Sequence, residues 1–221
     1  MPSKIPLSLV FLFFGGFIMS RRNVVKLTVV ANLTALSILL YFLKFPLPFM
    51  FPSFLEIQFS NLPAIIGGFA LGPIGGASIV VIRYLIKLLS STSAGVGELI
   101  DLLIGLSTVL VSSFIYRKHK TKKGAFYASI AGIITWTFVA VMANYLFIID
   151  FYIEFYFGGD VSPLIGMMSV IPNITAENYM EKYILFAAIP FNILLSSLVF
   201  GVTFLVYKRI SNLIHYFADK K

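Results

Sequence analysis

Four ionisable residues stand close together in an otherwise apolar stretch of the sequence. Arg83 and Lys87 lie one helical turn apart, and Glu98 and Asp101 follow beyond a Ser/Gly-rich turn. If two helices run antiparallel about Ser90–Val96, Arg83 and Asp101 are nearly equidistant from the middle of that turn, as are Lys87 and Glu98. At about 1.5 Å of rise per residue, the first pair sits roughly 13 Å from the turn. Charges at that depth in a membrane face the bundle interior or a cavity and usually have a partner. Two readings follow. One is a structural pairing of Arg83 with Asp101 and of Lys87 with Glu98; the other is direct contact of Glu98 or Asp101 with a ligand.

Two amides join this set, Asn144 in Ala-Asn-Tyr-Leu-Phe and Asn192 after Pro190-Phe191. An amide offers donor and acceptor together, which complements an imide or pyrimidine edge. Each can equally serve as glue between helices, and Asn192 can patch the backbone defect that proline opens.

Other chemistry has no residues to work with. There is no cysteine, and His119 and His215 both lie in basic stretches, which leaves no credible metal site. GxxxxGK[ST], HExxH, GxSxG and a Ser/His/Asp set are all absent. The expectation is binding without catalysis, metal or cofactor, and without ATP hydrolysis on this chain.

These residues need a scaffold, and composition names it. The chain is 59% hydrophobic and only 12% charged, with a mean hydropathy of +0.95, which places it among multi-pass membrane proteins. A net charge of +8 would suggest nucleic acid in a soluble protein. In a membrane protein it reflects basic loops retained in the cytoplasm, so a lipid membrane and no nucleic acid is the expected partner.

A span needs about 20 apolar residues, and the pattern gives spans near Val24–Phe42, Leu62–Leu71, Ile74–Leu89, Glu98–Tyr116, Ala125–Ile149 and Tyr183–Tyr207. Leu71-Gly72-Pro73 can kink one helix, but Gly-Pro more often ends one element and starts the next. Six spans put three basic clusters on one side: Arg21, Arg22 and Lys26; Arg117, Lys118, Lys120, Lys122 and Lys123; and Lys208, Arg209, Lys220 and Lys221. That side is cytoplasmic, and Asp150, Glu154, Asp160, Glu177 and Glu181 fall outside. Residues 1–20 form a separate apolar extension. Its Ile5–Ile18 run suits a signal-peptide core without a convincing cleavage site, a seventh span, or sequence upstream of a start at Met19. Residues 21–212 make the six-helix membrane domain and 213–221 a basic cytoplasmic tail.

Phe51–Gly76 breaks the apolar background with Pro, Gly, Glu56, Gln58, Ser60 and Asn61. Irregular backbone at a bilayer survives where protein or trapped water satisfies it, so this segment is expected to line a cavity. Phe51, Phe54 and Phe59 within it could cover a planar ligand. Ala31-Asn-Leu-Thr-Ala35 in the first span is a small-xxx-small stripe that lets another helix approach closely, either inside this chain or on a partner.

Taken in order and spacing, Lys44-Phe-Pro-Leu-Pro-Phe49, Phe59-Ser60 with Leu62-Pro63-Ala64, Gly67–Pro73, Ala94-Gly-Val-Gly-Glu98, Asn144-Tyr145 and Pro190-Phe-Asn192 resemble the substrate-binding S components of energy-coupling factor vitamin transporters. The likeness is greatest to the riboflavin-specific members and covers about Val24–Ile210. It implies an all-α, six-transmembrane-helix bundle in the cell membrane, with a vitamin pocket that opens outward beneath the loop after the first helix. It further implies docking on a transmembrane coupling protein with two ATPase subunits. Phe59, Glu98, Asp101, Asn144 and Asn192 are then the expected ligand-binding residues, and Ala31 and Ala35 the docking stripe.

The chain departs from the riboflavin pattern in places. Acidic residues stand there at Gln58 and Asn61, an Asn at Asp101, and a Lys at Leu195. Pantothenate or folate is the alternative cargo, and a stand-alone carrier the alternative class.

Overall fold

Gly72 does end one helix and start another. Its φ of +92° lies in the region that glycine tolerates, and Pro73 follows as the first residue of the next helix, where its missing N–H costs nothing. The computed structural model describes residues 21–219 apart from Thr92, and side chains within residues 23–206. The readings made for residues 1–20 and for the basic side chains after Val206 fall outside those described.

Helix α1 spans Arg21–Phe42. A short antiparallel ribbon follows, β1 (Phe45–Pro46) against β2 (Glu56–Ile57). Then come α2 (Asn61–Leu71) and α3 (Pro73–Leu88), joined through a turn at residues 89–95 to α4 (Val96–Lys118). Thr121 caps α5 (Lys122–Ala143) by accepting the Gly124 N–H at 3.1 Å. A π-helical stretch, Asn144–Ile148, carries the same helix into α6 (Ile149–Phe157). Two short helices, α7 (Ser162–Met167) and α8 (Tyr179–Tyr183), precede a second π-helical stretch, Ile184–Ala188, which runs into α9 (Ile189–Asp219).

Four of the described helical segments are long and apolar enough to cross a membrane: Asn23–Phe42, Val96–Lys118, Lys122–Phe157 and Tyr179–Val206. Helix α2 is apolar but short, and it is the hub of the bundle. It packs against α1, α3, α4 and α9, with Ala64, Ile65, Gly67, Gly68 and Phe69 all buried. Helix α3, the carrier of Arg83 and Lys87, packs between α1, α2 and α4, and α5 lies against α4 and α9.

The fifth span runs further than Ile149. The aromatic sequence Phe147–Phe157 stays helical through the π-helical stretch, so Asp150 and Glu154 sit on the helix rather than in a loop.

Candidate functional site

One end of the bundle encloses a cavity of about 500 Å³, within the usual range of small-molecule sites. The segment between α1 and α2 contributes Phe54, Leu55, Glu56 and Gln58. The first turns of α4 contribute Gly97, Ile100, Asp101 and Ile104, and α5 contributes Trp136 and Ala140. Asn144 and Ile148 come from the first π-helical stretch, Ile149, Tyr152, Tyr156 and Phe157 from α6, and Leu164 and Met167 from α7. Tyr183 and, on α9, Phe191, Asn192 and Leu195 complete the wall. Most of this surface is aliphatic or aromatic, with a few polar groups at fixed places. The interrupted segment therefore does line a cavity, as its composition indicated.

Both amides are held in a determined orientation. Trp136 Nε1–H, a group that can only donate, donates to Asn192 Oδ1 at 3.1 Å. On the other side Asn192 Nδ2 donates to the Ala188 carbonyl at 2.8 Å. Asn144 repeats the arrangement: its Nδ2 donates to the Ala140 carbonyl at 2.8 Å, and the Tyr183 hydroxyl donates to its Oδ1 at 3.0 Å. Each amide spends one donor and one acceptor on the protein and keeps one of each. Gluing helices and presenting polar groups are here the same contact seen from two sides.

The backbone prepares these positions. Asn144 opens one π-helical stretch, and Asn192 follows the other by one turn. In each stretch an N–H reaches five residues back, from Ile149 to Asn144 and from Ile189 to Ile184. Insertions of this kind re-aim side chains and are frequent at functional sites. The second one directly precedes Pro190, whose ring would otherwise press on the preceding turn.

The charge cluster reaches the same cavity through Asp101. Arg83 is fully buried, and its Nη2 pairs with Asp101 Oδ2 at 2.9 Å, as the turn geometry suggested. The pairing of Lys87 with Glu98 does not form. Lys87 Nζ joins the same Asp101 Oδ2 at 2.8 Å and sits 3.5 Å from the centre of the Tyr41 ring. Glu98 accepts from Ser91 Oγ at 2.6 Å and Ser93 Oγ at 2.8 Å. Those serines belong to the adjoining turn, so they reach Glu98 locally, while Lys87 shares the helix face of Arg83 and meets what Arg83 meets.

Of the five expected ligand-binding residues, Asp101, Asn144 and Asn192 line one cavity. Glu98 is buried beside it, and Phe59 packs half-buried on the core, outside the lining. Phe54, noted with Phe51 and Phe59 in the sequence, does line the cavity and packs against Tyr183 at 5.9 Å between ring centres. Phe51, buried, packs edge-on to Phe191 at 5.3 Å. Lys44 donates to Glu56 at the ribbon, which raises the lysine pKa above its ordinary value. Among the described residues no group of three His, Asp or Glu is placed to hold a metal ion.

Trp136 and Tyr183 were not singled out by sequence reasoning. A signal for Trp136 existed, since Trp136, Ala140 and Asn144 are spaced by four along one helix face. Ala31 and Ala35 are both exposed on α1, whose inward side is made by Thr34 and Ser37.

Comparison with known proteins places the chain in a family. Residues 25–207 match the family model described as "ECF transporter, substrate-specific component". The riboflavin transporter RibU of Staphylococcus aureus is 29% identical over 85% of this chain and 90% of its own length. The riboflavin transporter FmnP of Bacillus subtilis is 27% identical over 74% of this chain and 87% of its own length. A solved structure, the S component of a bacterial ECF transporter, superposes with a TM-score of 0.56 at 28% identity, covering 86% of this chain and 96% of that one.

The corrected pairing has a direct test. In double-mutant cycles on thermal stability in detergent, Lys87→Met and Asp101→Asn should couple by about 0.5–3 kcal/mol, as residues in one network do. Lys87→Met and Glu98→Gln, which share no hydrogen bond, should couple more weakly. The reverse pattern would restore the pairing of Lys87 with Glu98.

Proposed function

The chain belongs to the family of ECF transporter substrate-specific components, and we propose that it is the riboflavin-binding subunit of an ATP-driven vitamin importer. The family is a transport component of the cell membrane and not an enzyme. The observation that carries the riboflavin reading is the lining of the cavity. It offers two oriented amides, each with one donor and one acceptor free, among Trp136, Tyr152, Tyr156, Tyr183, Phe54 and Phe191. An isoalloxazine ring needs apolar contact on its faces and matched donors and acceptors at its imide edge.

Charge separates this reading from the alternative cargoes. The ionisable lining includes the carboxylates Glu56 and Asp101 and no Lys or Arg, and Leu195 stands where the riboflavin pattern has a lysine. Pantothenate and folate are carboxylates, and a like charge brought into a partly dry site is disfavoured. Riboflavin carries no charge.

In the membrane, α2 and α3 complete six spans with the four long segments. Helix α2 is only roughly 16 Å long, but it is enclosed by other helices and need not match the bilayer. Residues 21–212 form this domain, and 213–221 the basic cytoplasmic tail. The loop with Arg117, Lys118, Lys120, Lys122 and Lys123 lies at the end of α4 and α5 away from the cavity. Basic loops stay in the cytoplasm, so the cavity faces outward. The partners are a transmembrane coupling protein and two ATPase subunits, with Ala31 and Ala35 as the close-approach stripe for the coupling protein. Their exposure supports a stripe that serves a partner rather than this bundle.

Riboflavin titrated into the purified protein should lose its fluorescence and quench that of Trp136, the sole tryptophan. Tight binding of another vitamin and none of riboflavin would retire the assignment. Asn192→Ala should weaken riboflavin binding by about 1–3 kcal/mol, the cost of an unmet buried polar partner. Trp136→Phe, which frees the same amide to turn, should lie in the lower part of that range. Unchanged dissociation constants in both would reduce the amide to helix packing.

Replacing both Ala31 and Ala35 with Leu should abolish uptake in cells carrying the coupling protein and ATPases while riboflavin affinity in detergent stays the same. Bulk on that face holds a partner helix off. Normal uptake would rule out the docking role, and lost binding would mean that the stripe matters to this chain's own folding.

A further inference from the structure

We propose that residues 149–188 form a cap that swings about the two π-helical stretches, admitting the ligand when raised and enclosing it when lowered. The inference concerns access to the cavity and uses the riboflavin reading only for its probe. The buried apolar residues form two separate groups. One joins α2, α3, α4 and α5 to the part of α9 from Phe191 onward. The other takes every buried member from residues 149–188, with Ile149, Ile153, Met168 and Tyr183 among them. The π-helical stretches, Asn144–Ile148 and Ile184–Ala188, stand where the chain enters and leaves that second unit. A unit with a core of its own can open as a body against its neighbour, and helices bend where a π-helical insertion or a proline interrupts them. Pro190 lies just beyond the second stretch. The Tyr183 hydroxyl, 3.0 Å from Asn144 Oδ1, ties the beginnings of the two stretches together and makes one axis of them.

The cap carries ties of its own. Lys182 Nζ donates to the carbonyls of Pro172 and Asn173, at 2.8 Å each, and the Thr175 N–H donates to Asn178 Oδ1 at 2.9 Å. The cavity lies between this unit and the bundle, with Tyr152, Met167 and Tyr183 on the cap side and Gln58, Ile104 and Trp136 on the other. At the rim, Tyr152 comes within hydrogen-bonding reach of Ser93 in the turn before α4. The irregular segment is the other candidate for a moving wall, and it is more firmly held. Arg83 donates to the Ser60 carbonyl, and the ribbon pairs the segment's two arms. Moving it would strip an acceptor from a buried guanidinium, which is strongly unfavourable. Raising the cap leaves those bonds intact.

The chain has no cysteine, so a bridge can be placed at a chosen pair. In Ser93→Cys/Tyr152→Cys, a short reducible bis-methanethiosulfonate links the rim to the cap, and the same molecules with the bridge reduced are the control. The bridged protein should lose riboflavin exchange in both directions: empty protein no longer takes it up, loaded protein no longer releases it, and reductant restores both. Uptake and release at the unbridged rate would overturn the proposal, because the cavity would then fill by another route. A second measurement leaves the lining untouched and decides the matter where the cysteine pair does not fold. Spin labels at Leu89 and Glu177, both exposed, report the distance from bundle to cap, and labels at Leu89 and the exposed Phe49 report the irregular segment. Riboflavin should narrow the first distribution of distances and leave the second unchanged. An unchanged first distribution overturns the cap, and a change confined to the second makes the irregular segment the moving wall instead. If riboflavin does not bind at all, the cargo assignment falls and the cap is judged on the empty protein. Its Leu89–Glu177 distances must then still be broader than those from Leu89 to Phe49, and equal widths would overturn it.

Discussion

A guanidinium with no solvent exposure has to find its counter-charge and its acceptors inside the bundle, and Arg83 finds them in four residues on three separate pieces of chain. Ser37 is on α1, Ser60 closes the segment after the ribbon, Asn61 begins α2 and Asp101 lies on α4. Burying such a charge is unfavourable unless pairing and hydrogen bonding are both good, and removing one partner of a buried pair costs about 3–5 kcal/mol. The arrangement therefore contributes less to net stability than to the choice of one packing among several. With Arg83 in place, the end of the irregular segment, the start of the central helix and the first turns of α4 have only one relative position. The cavity wall is made from those same pieces.

The irregular segment is consequently a wall and not a loose connection. Its far end is anchored where Ser60 receives Arg83, and its two arms are paired in the ribbon, where Lys44 meets Glu56. Between them Phe51 packs on Phe191 and Phe54 on Tyr183. The amides are oriented by neighbours that include a donor-only indole at Asn192 and an acceptor-only carbonyl at each, so the cavity's polar groups are held by the protein itself. Groups held in place in this way have little ordering left to lose on binding.

Much of this was legible in the residues, and the exceptions have a physical pattern. The break between α2 and α3 followed from Gly72-Pro73, because that signal is local, whereas the fifth span runs on to Phe157 beyond the end that apolar length suggested. The pairing of Arg83 with Asp101 followed from counting back from a turn. Lys87 escaped the same count because distance from a turn fixes depth but not azimuth: Lys87 and Arg83 share a face, and Glu98 had nearer hydroxyls in Ser91 and Ser93. Of Phe51, Phe54 and Phe59, the three aromatics noted in the interrupted segment, only Phe54 is in the cavity lining, since the facing of side chains in irregular backbone has no period to read. The two π-helical stretches left no mark in composition, although they decide where Asn144 and Asn192 point. Trp136 was readable only once Asn144 was known to matter.

The two faces of α1 show how one helix can serve separate tasks. Its inner side carries Thr34 and Ser37, and Ser37 is one hydrogen bond from Arg83 and so two from the carboxylate at the cavity wall. Its outer side presents Ala31 and Ala35, both exposed among the described residues. Ala35 and Ser37 are two residues apart and do not face each other, whereas Ala31 and Thr34, three apart, are neighbours, so the outer surface is freest to change at Ala35. The inner surface has no such freedom. Any movement of α1 against the bundle must carry Ser37 with it or break its bond to the guanidinium. A ligand-binding component that leaves ATP hydrolysis to other chains needs this separation: a site organised from within, and a smooth surface outside on which another protein can act.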